Sequence, residues 1–229
     1  MQHLLRVTVA DRPGSLGALA TALGEAGGDI RAIDVIERGP AGAVDDVLID
    51  IDGEGSPRRI RDVLSRLPGV VVESLQPFTE GDQLGDPLNV VDALLATSSR
   101  ALAAIIRMAP SIVRAQWVLV LDLADGAAAT SQASAGAPWV RWARLPWLPL
   151  TSAKRIEADP SWVPYGWGDS AEMAAAPIGE SNLALLVIRP NGPRFRGAEV
   201  AKLRNLAALA ALLDDRDVRS SVRRIPATQ

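Results

Sequence analysis

Cysteine is absent from the 229-residue chain, and histidine occurs once, at His3 near the N-terminus. The first absence excludes disulfides, thiolate metal sites and cysteine nucleophiles. The second excludes a multi-histidine metal centre and disfavours a Ser-His-Asp triad. No apolar run approaches the roughly 18 residues of a membrane span. The opening Met1-Gln2-His3-Leu4-Leu5-Arg6 lacks the basic stretch and long apolar run of a secretory signal. These absences predict a cytoplasmic protein. No phosphate loop, Gly-x-Ser-x-Gly or dinucleotide fingerprint occurs. The expectation is therefore a non-enzymatic protein with no catalytic residue, metal or cofactor.

Aromatic residues are scarce and unevenly placed. Residues 1–76 contain no Phe, Trp or Tyr, whereas all six Trp lie between Trp117 and Trp167. Charge is uneven too: residues 1–80 carry a net −5 and the remainder a net +2, within a total of −3. This contrast predicts two domains. Hydrophobic residues at 48% and charged residues at 22% suit globular folding throughout. The overall negative charge disfavours non-specific nucleic-acid binding. Arg219, Arg223 and Arg224 in the tail read first as a solvated end.

The first eighty residues alternate between two periodicities. Leu5, Val7 and Val9 repeat every second position, as in a half-buried strand. Asp11-Arg12-Pro13-Gly14-Ser15-Leu16 then ends the strand, with Ser15 or Asp11 available to cap a helix. Leu16, Leu19 and Leu23, with Ala20 and Ala26, mark that helix's apolar stripe, and Gly27-Gly28 stops it. Apolar residues 30–36 and Val47, Ile49 and Ile51 flank a glycine-containing turn and form a hairpin. Asp46, Asp50 and Asp52 lie on the other parity and should face water. Ser56-Pro57 caps a second helix carrying Ile60, Val63, Leu64 and Leu67; Pro68-Gly69 closes it, and residues 70–75 make a fourth strand.

The order is βαββαβ, a ferredoxin-like arrangement with two helices on one face of a four-stranded antiparallel sheet. A heavy-metal carrier of this topology needs a Cys pair, and an RNA-recognition module needs stacking aromatics; both are missing. What remains resembles an ACT domain, a small ligand-binding module of amino-acid metabolism. The resemblance rests on Asp11-Arg12-Pro13-Gly14-Ser15-Leu16, Gly27-Gly28-Asp29-Ile30, the 47–52 strand and Leu67-Pro68-Gly69-Val70. It implies a small-molecule effector, an amino acid by preference, bound by Asp11, Arg12, Pro13, Gly14, Ser15, Leu16, Asp29 and Ile30, and a homodimer formed by side-by-side sheets. Unpaired amides at a helix start suit a carboxylate, and Asp11 or Asp29 could meet the ammonium. Where ACT domains usually have Asn, this chain has Asp29, which favours a cation and repels an anion. The same turn also reads simply as a strand stop and helix start within a dimerisation module.

Residues 79–86 form a polar linker, and Asp86-Pro87 starts a helix with apolar Val91, Leu94, Leu95, Leu102, Ile105 and Ile106; Pro110 should end it. Trp117-Val118-Leu119-Val120-Leu121 reads as a buried strand and residues 127–136 as a mobile loop. Residues 139–145 are a strand candidate and 146–168 carry no clear assignment. Residues 174–178 and 183–189 form a hairpin, and a helix spans 198–215. The layout is α+β. Its end, with Ala176-Pro177-Ile178-Gly179, Leu185-Leu186-Val187-Ile188, Phe195-Arg196-Gly197-Ala198-Glu199 and Leu206-Ala207-Ala208-Leu209-Ala210, resembles a GAF domain.

The expected division is an ACT-like domain over 1–78, a linker over 79–86, a GAF-like domain over 87–215 and a charged tail over 216–229. The GAF resemblance places a second candidate pocket at Trp139, Arg141, Trp142, Trp162, Tyr165 and Trp167, where rings and guanidinium groups suit an aromatic or anionic metabolite. The competing reading has these rings filling a core short of Phe. The functional expectation is a sensor that binds an amino acid at the ACT dimer interface and signals through the GAF-like domain or a protein partner. The alternative is a structural adaptor that dimerises through its sheet and docks a partner on Trp- and Arg-rich surfaces.

Overall fold

The computed structural model describes residues 1–51, 55–78, 101–124, 127–168 and 170–222, with the side chains of the last helix described as far as Leu212. Two compact units divide the chain: Met1–Gly81 together with Arg196–Ala198, and Asp82–Phe195 together with Glu199–Gln229.

In the first unit, β1 (Gln2–Val9), α1 (Ser15–Glu25), β2 (Gly28–Gly39), β3 (Gly42–Ile51), α2 (Pro57–Leu64) and β4 (Val70–Pro77) follow in sequence. The sheet order is β2-β3-β1-β4, and every neighbouring pair is antiparallel. Alternation decides which face is dry. Leu5, Val7, Val9, Val47 and Ile49 pack against Leu19, Leu23, Ile60 and Leu64 of the helices. Ser56 caps α2 as its sequence predicts: its side chain accepts from the Arg59 N–H, and Pro57 occupies the first turn.

Asp46 does not face water. It lies across from Arg6 in the β1–β3 register and accepts two bonds from it, Nε to Oδ1 at 2.6 Å and Nη2 to Oδ2 at 2.7 Å, with both side chains buried. Asp50 is half-buried and accepts from Arg31 Nε at 2.6 Å, while Asp52 lies outside the described residues. The helix α1 is capped neither by Ser15, which is its first residue, nor by Asp11; its N-cap is Gly14, with no side-chain bond. Leu16 is also exposed rather than part of the buried stripe.

The second unit contains α3 (Ala101–Val113), β5 (Trp117–Ala124), β6 (Ala127–Ala133), β7 (Arg141–Trp142), β8 (Lys154–Ile156), β9 (Glu172–Pro177), β10 (Leu183–Arg189) and, from Glu199 onward, α4 (Gly197–Val222). The strands form one antiparallel sheet in the order β7-β6-β5-β10-β9-β8. Its central strands are buried on both faces, which is why β5 and β10 read as unbroken apolar runs. Val118, Val120, Leu185 and Val187 pack with Ile105, Ile106, Leu203, Leu206 and Ala207 of the helices. Leu119, Leu121, Leu186 and Ile188 pack with Trp142, Trp147, Trp162 and Trp167.

The linker at 79–86 and the start of the following helix lie outside the described residues. That helix does not stop at Pro110 but carries it inside α3 and ends at Val113, where Arg114 takes φ 50°. Residues 127–133 are not a loop. They pair with β5, and side-chain bonds reinforce the strand: Ser131 Oγ donates to the Val120 carbonyl, and Thr130 exchanges bonds with the Val140 backbone. Pairing imposed by the neighbouring strand overrides the weak β preference of alanine. Of the 139–145 candidate, only Arg141 and Trp142 are strand. The last helix extends beyond residue 215, through Val222.

Candidate functional site

The turn between β1 and α1 folds tightly on its own backbone. The Arg12 N–H donates to the Ala10 carbonyl, and the Ser15 N–H donates to that of Arg12. Gly14 completes the bend at φ 90°, a conformation that a residue with a Cβ adopts only under strain. The Gly14 carbonyl then accepts from Ala18, so α1 begins there. The first-turn amides of a helix have no intrahelical acceptor and carry partial positive charge. Here no cap and no acidic side chain in the first turn answers them.

Clefts open on both sides of this turn. One, of about 420 Å³, lies between Arg12, Pro13, Gly14 and Ser15 and the Leu67-Pro68-Gly69-Val70 turn that precedes β4. The other, of about 370 Å³, lies between the same turn and the far ends of β2 and β3, where Val35, Arg38, Ala43 and Asp45 contribute. Asp11 and Leu16 line this second cleft as well.

Asp45 is the residue that the sequence reading did not single out. It shares the parity of Val47 and Ile49, so it stands on the dry, helix-covered face, opposite Val7 on β1 and Val35 on β2. It is 1% exposed. Neither of its carboxylate oxygens has a hydrogen-bond partner. Burial pushes its pKa above the ordinary value; the Arg38 guanidinium pulls it back, and the charges of Asp46 and Asp11 add to the rise.

Asp11, Arg12, Pro13, Gly14, Ser15 and Leu16 therefore border a common turn and its clefts. Asp29 and Ile30 do not join them within one chain. Asp29 pairs with Asp50, which pairs with Gln2, at the opposite end of the sheet from Val9 and Ala43. There Asp29 is exposed and lies 3.5 Å from Arg31 Nη1.

The second candidate group is divided between core and surface. Trp142 donates from Nε1 to the Trp162 carbonyl at 2.8 Å. Its ring meets those of Trp162 and Trp167 edge-on, with centroids 6.3 and 5.9 Å apart. These three rings fill the space over the sheet. Trp139 is 67% exposed, and Tyr165 and Arg141 are exposed too. Among the described residues, no group of three or more His, Asp or Glu is placed to hold a metal ion, and no helix is long and apolar enough to cross a membrane.

Residues 3–69 match the family model of the ACT domain, so the first unit carries an ACT domain. No curated protein matches the chain significantly. A crystal structure described as that of an unknown protein from Galdieria sulphuraria is similar at 12% identity, covering 94% of this chain and 92% of that one with a TM-score of 0.32.

Proposed function

We propose that the chain is a non-enzymatic regulatory sensor that binds an amino acid at its ACT domain, at an interface between two copies. ACT domains are regulatory and often bind amino acids. The observation that carries the reading is the uncapped start of α1: free amides, a glycine bend and an adjoining cleft make a seat for a carboxylate.

The dimer follows from the sheet. β2 lies at its edge and exposes Ile33 and Val35, and an unpaired edge strand with apolar side chains favours pairing. Antiparallel pairing of two β2 strands would bring the start of one beside the end of the other. Asp29 of the partner subunit would then approach Val35 and Arg38, which line the cleft beside the turn. On this reading the two separated halves of the expected site meet across the interface. The ligand favours one arrangement of the pair, and the second unit, proposed to be GAF-like from its helix-covered antiparallel sheet, or a protein partner, reads it out.

The adaptor reading is favoured by a different observation, the exposed Trp139 and Tyr165 of the second unit. A thermal-melt panel of the twenty L-amino acids separates the two. The sensor predicts that at least one raises the melting temperature of the wild type, equivalent to about 2.7 kcal/mol at a hundred times its Kd, and that Gly14→Ala weakens the response. No response to any amino acid, with stable co-purification of a partner protein lost on Trp139→Ala, favours the adaptor.

A further inference from the structure

Asp45 is a buried acid placed where the sheet's dry face meets the ligand cleft. Among the described residues, the other buried Arg, Asp and Glu side chains have partners: Asp46 holds Arg6, and Glu199 holds Arg189. Asp45 has its two oxygens unbonded although Arg38 stands within electrostatic range. A buried polar group without a partner is uncommon and calls for a physical reason. Its neighbours on the same face of β3 are Ala43 and Val47, both in the apolar core, so packing alone would be met by an apolar side chain.

We propose that Asp45 recognises the ligand's ammonium group and is the specificity-determining residue of the cleft, so that the site takes a compact zwitterion rather than a plain organic acid. This rests on the reading of the β1–α1 turn as a ligand site. The first-turn amides of α1 form the positive pole of the cleft and Asp45 its negative pole; both border the same space. An ionised carboxylate is only an acceptor and an ammonium only a donor, so the pair is complementary. In that dry setting the bond is charge-assisted and strong. The groups facing Asp45 are Arg38 from β2, Asp11 from the turn and Asp46 from its own strand; α1 adds no acid from its first turn. Asp11, being exposed, is screened by water and discriminates less.

The test compares amino acids with the 2-hydroxy acids of the same side chain: L-alanine with L-lactate, L-valine with 2-hydroxyisovalerate, and L-phenylalanine with phenyllactate. Binding to the full chain is measured by calorimetry. The wild type should prefer the amino acid by at least about tenfold. Asp45→Asn should lose at least about that factor for the amino acid and bring the two ligands to near parity, which a merely structural role would not do. Asp45→Val, whose side chain suits the strand, should fold and likewise lose the preference for the amino acid, and it carries the comparison if the Asn variant does not fold. Equal wild-type affinity for both acids, or unchanged discrimination in Asp45→Asn, overturns the assignment to Asp45 while the turn still binds. If none of the six compounds binds the wild type, the assignment falls, and silence across the twenty-amino-acid panel takes the turn reading with it.

Discussion

Two carboxylates, one in each unit, are almost equally dry: Asp45 is 1% exposed and Glu199 3%. Glu199 receives the Arg189 guanidinium at 2.6 Å, and that group also donates to the carbonyls of Val113, Arg114 and Pro193 and lies 3.9 Å over the Phe195 ring. One side chain thereby answers the open carbonyls at the end of α3 and joins them to the first turn of α4. Asp45 has nothing comparable. The difference teaches that burial alone does not define a charge's role. A carboxylate whose partners are all supplied by the chain is part of the scaffold. One held dry and unanswered beside an open cleft is suited to something that arrives.

The scaffold side of the comparison should break most severely. Glu199→Ala leaves the Arg189 charge buried, and denaturant unfolding should show a loss of about 3–5 kcal/mol. Replacing both, as Arg189→Met with Glu199→Leu, should recover much of that loss, because neither charge is then stranded. A single-variant loss below about 1 kcal/mol would mean that water reaches the pair.

On the other side the sign should reverse. Asp45→Val should stabilise the unliganded protein, by about 1–3 kcal/mol at neutral pH. The pH dependence sharpens this. The folded-state pKa of Asp45 is raised above 3.8, so the folded chain holds this proton more tightly than the unfolded chain. Wild-type stability from this group is fully present below the unfolded value and is lost as pH rises through the folded one. The advantage of Asp45→Val should thus widen with rising pH and close on acidification. A destabilised Asp45→Val at neutral pH would place Asp45 in the scaffold after all.

The two helix starts of the ACT domain give the smallest contrast. α2 is capped by Ser56 and α1 by nothing. Ser56→Ala should cost about 1 kcal/mol in thermal melts and leave amino-acid binding untouched. A change in ligand response would show that the two helix starts are coupled.

Much of the first unit was legible because its signals are local. Alternation at Leu5, Val7 and Val9, the Ser56-Pro57 start and the Pro68-Gly69 stop each belong to a few adjacent residues, and the structure places elements accordingly. The parity that put Val47 and Ile49 inside extends back to Asp45, so its inward position was readable. Its lack of a partner was not, since that depends on what β1, β2 and the turn fail to supply. Asp46 misled for the same reason: its partner Arg6 lies 40 residues away. The second unit hid more. The strand Ala127–Ala133 has small side chains with no apolar period, and its order comes from β5. The Trp-rich connection gave no period either, because its rings pack on one another and on the sheet.

The central claim is that an amino acid sits between the open amides of α1 and the Asp45 carboxylate. An NMR titration of the labelled full chain with the amino acid giving the largest thermal response tests it most directly. The account predicts that the Leu16 and Gly17 amides and the Asp45 side-chain carboxyl carbon shift together, along one saturation curve. Saturating shifts confined to the Trp indoles of the second unit, with those three signals unmoved, would contradict it.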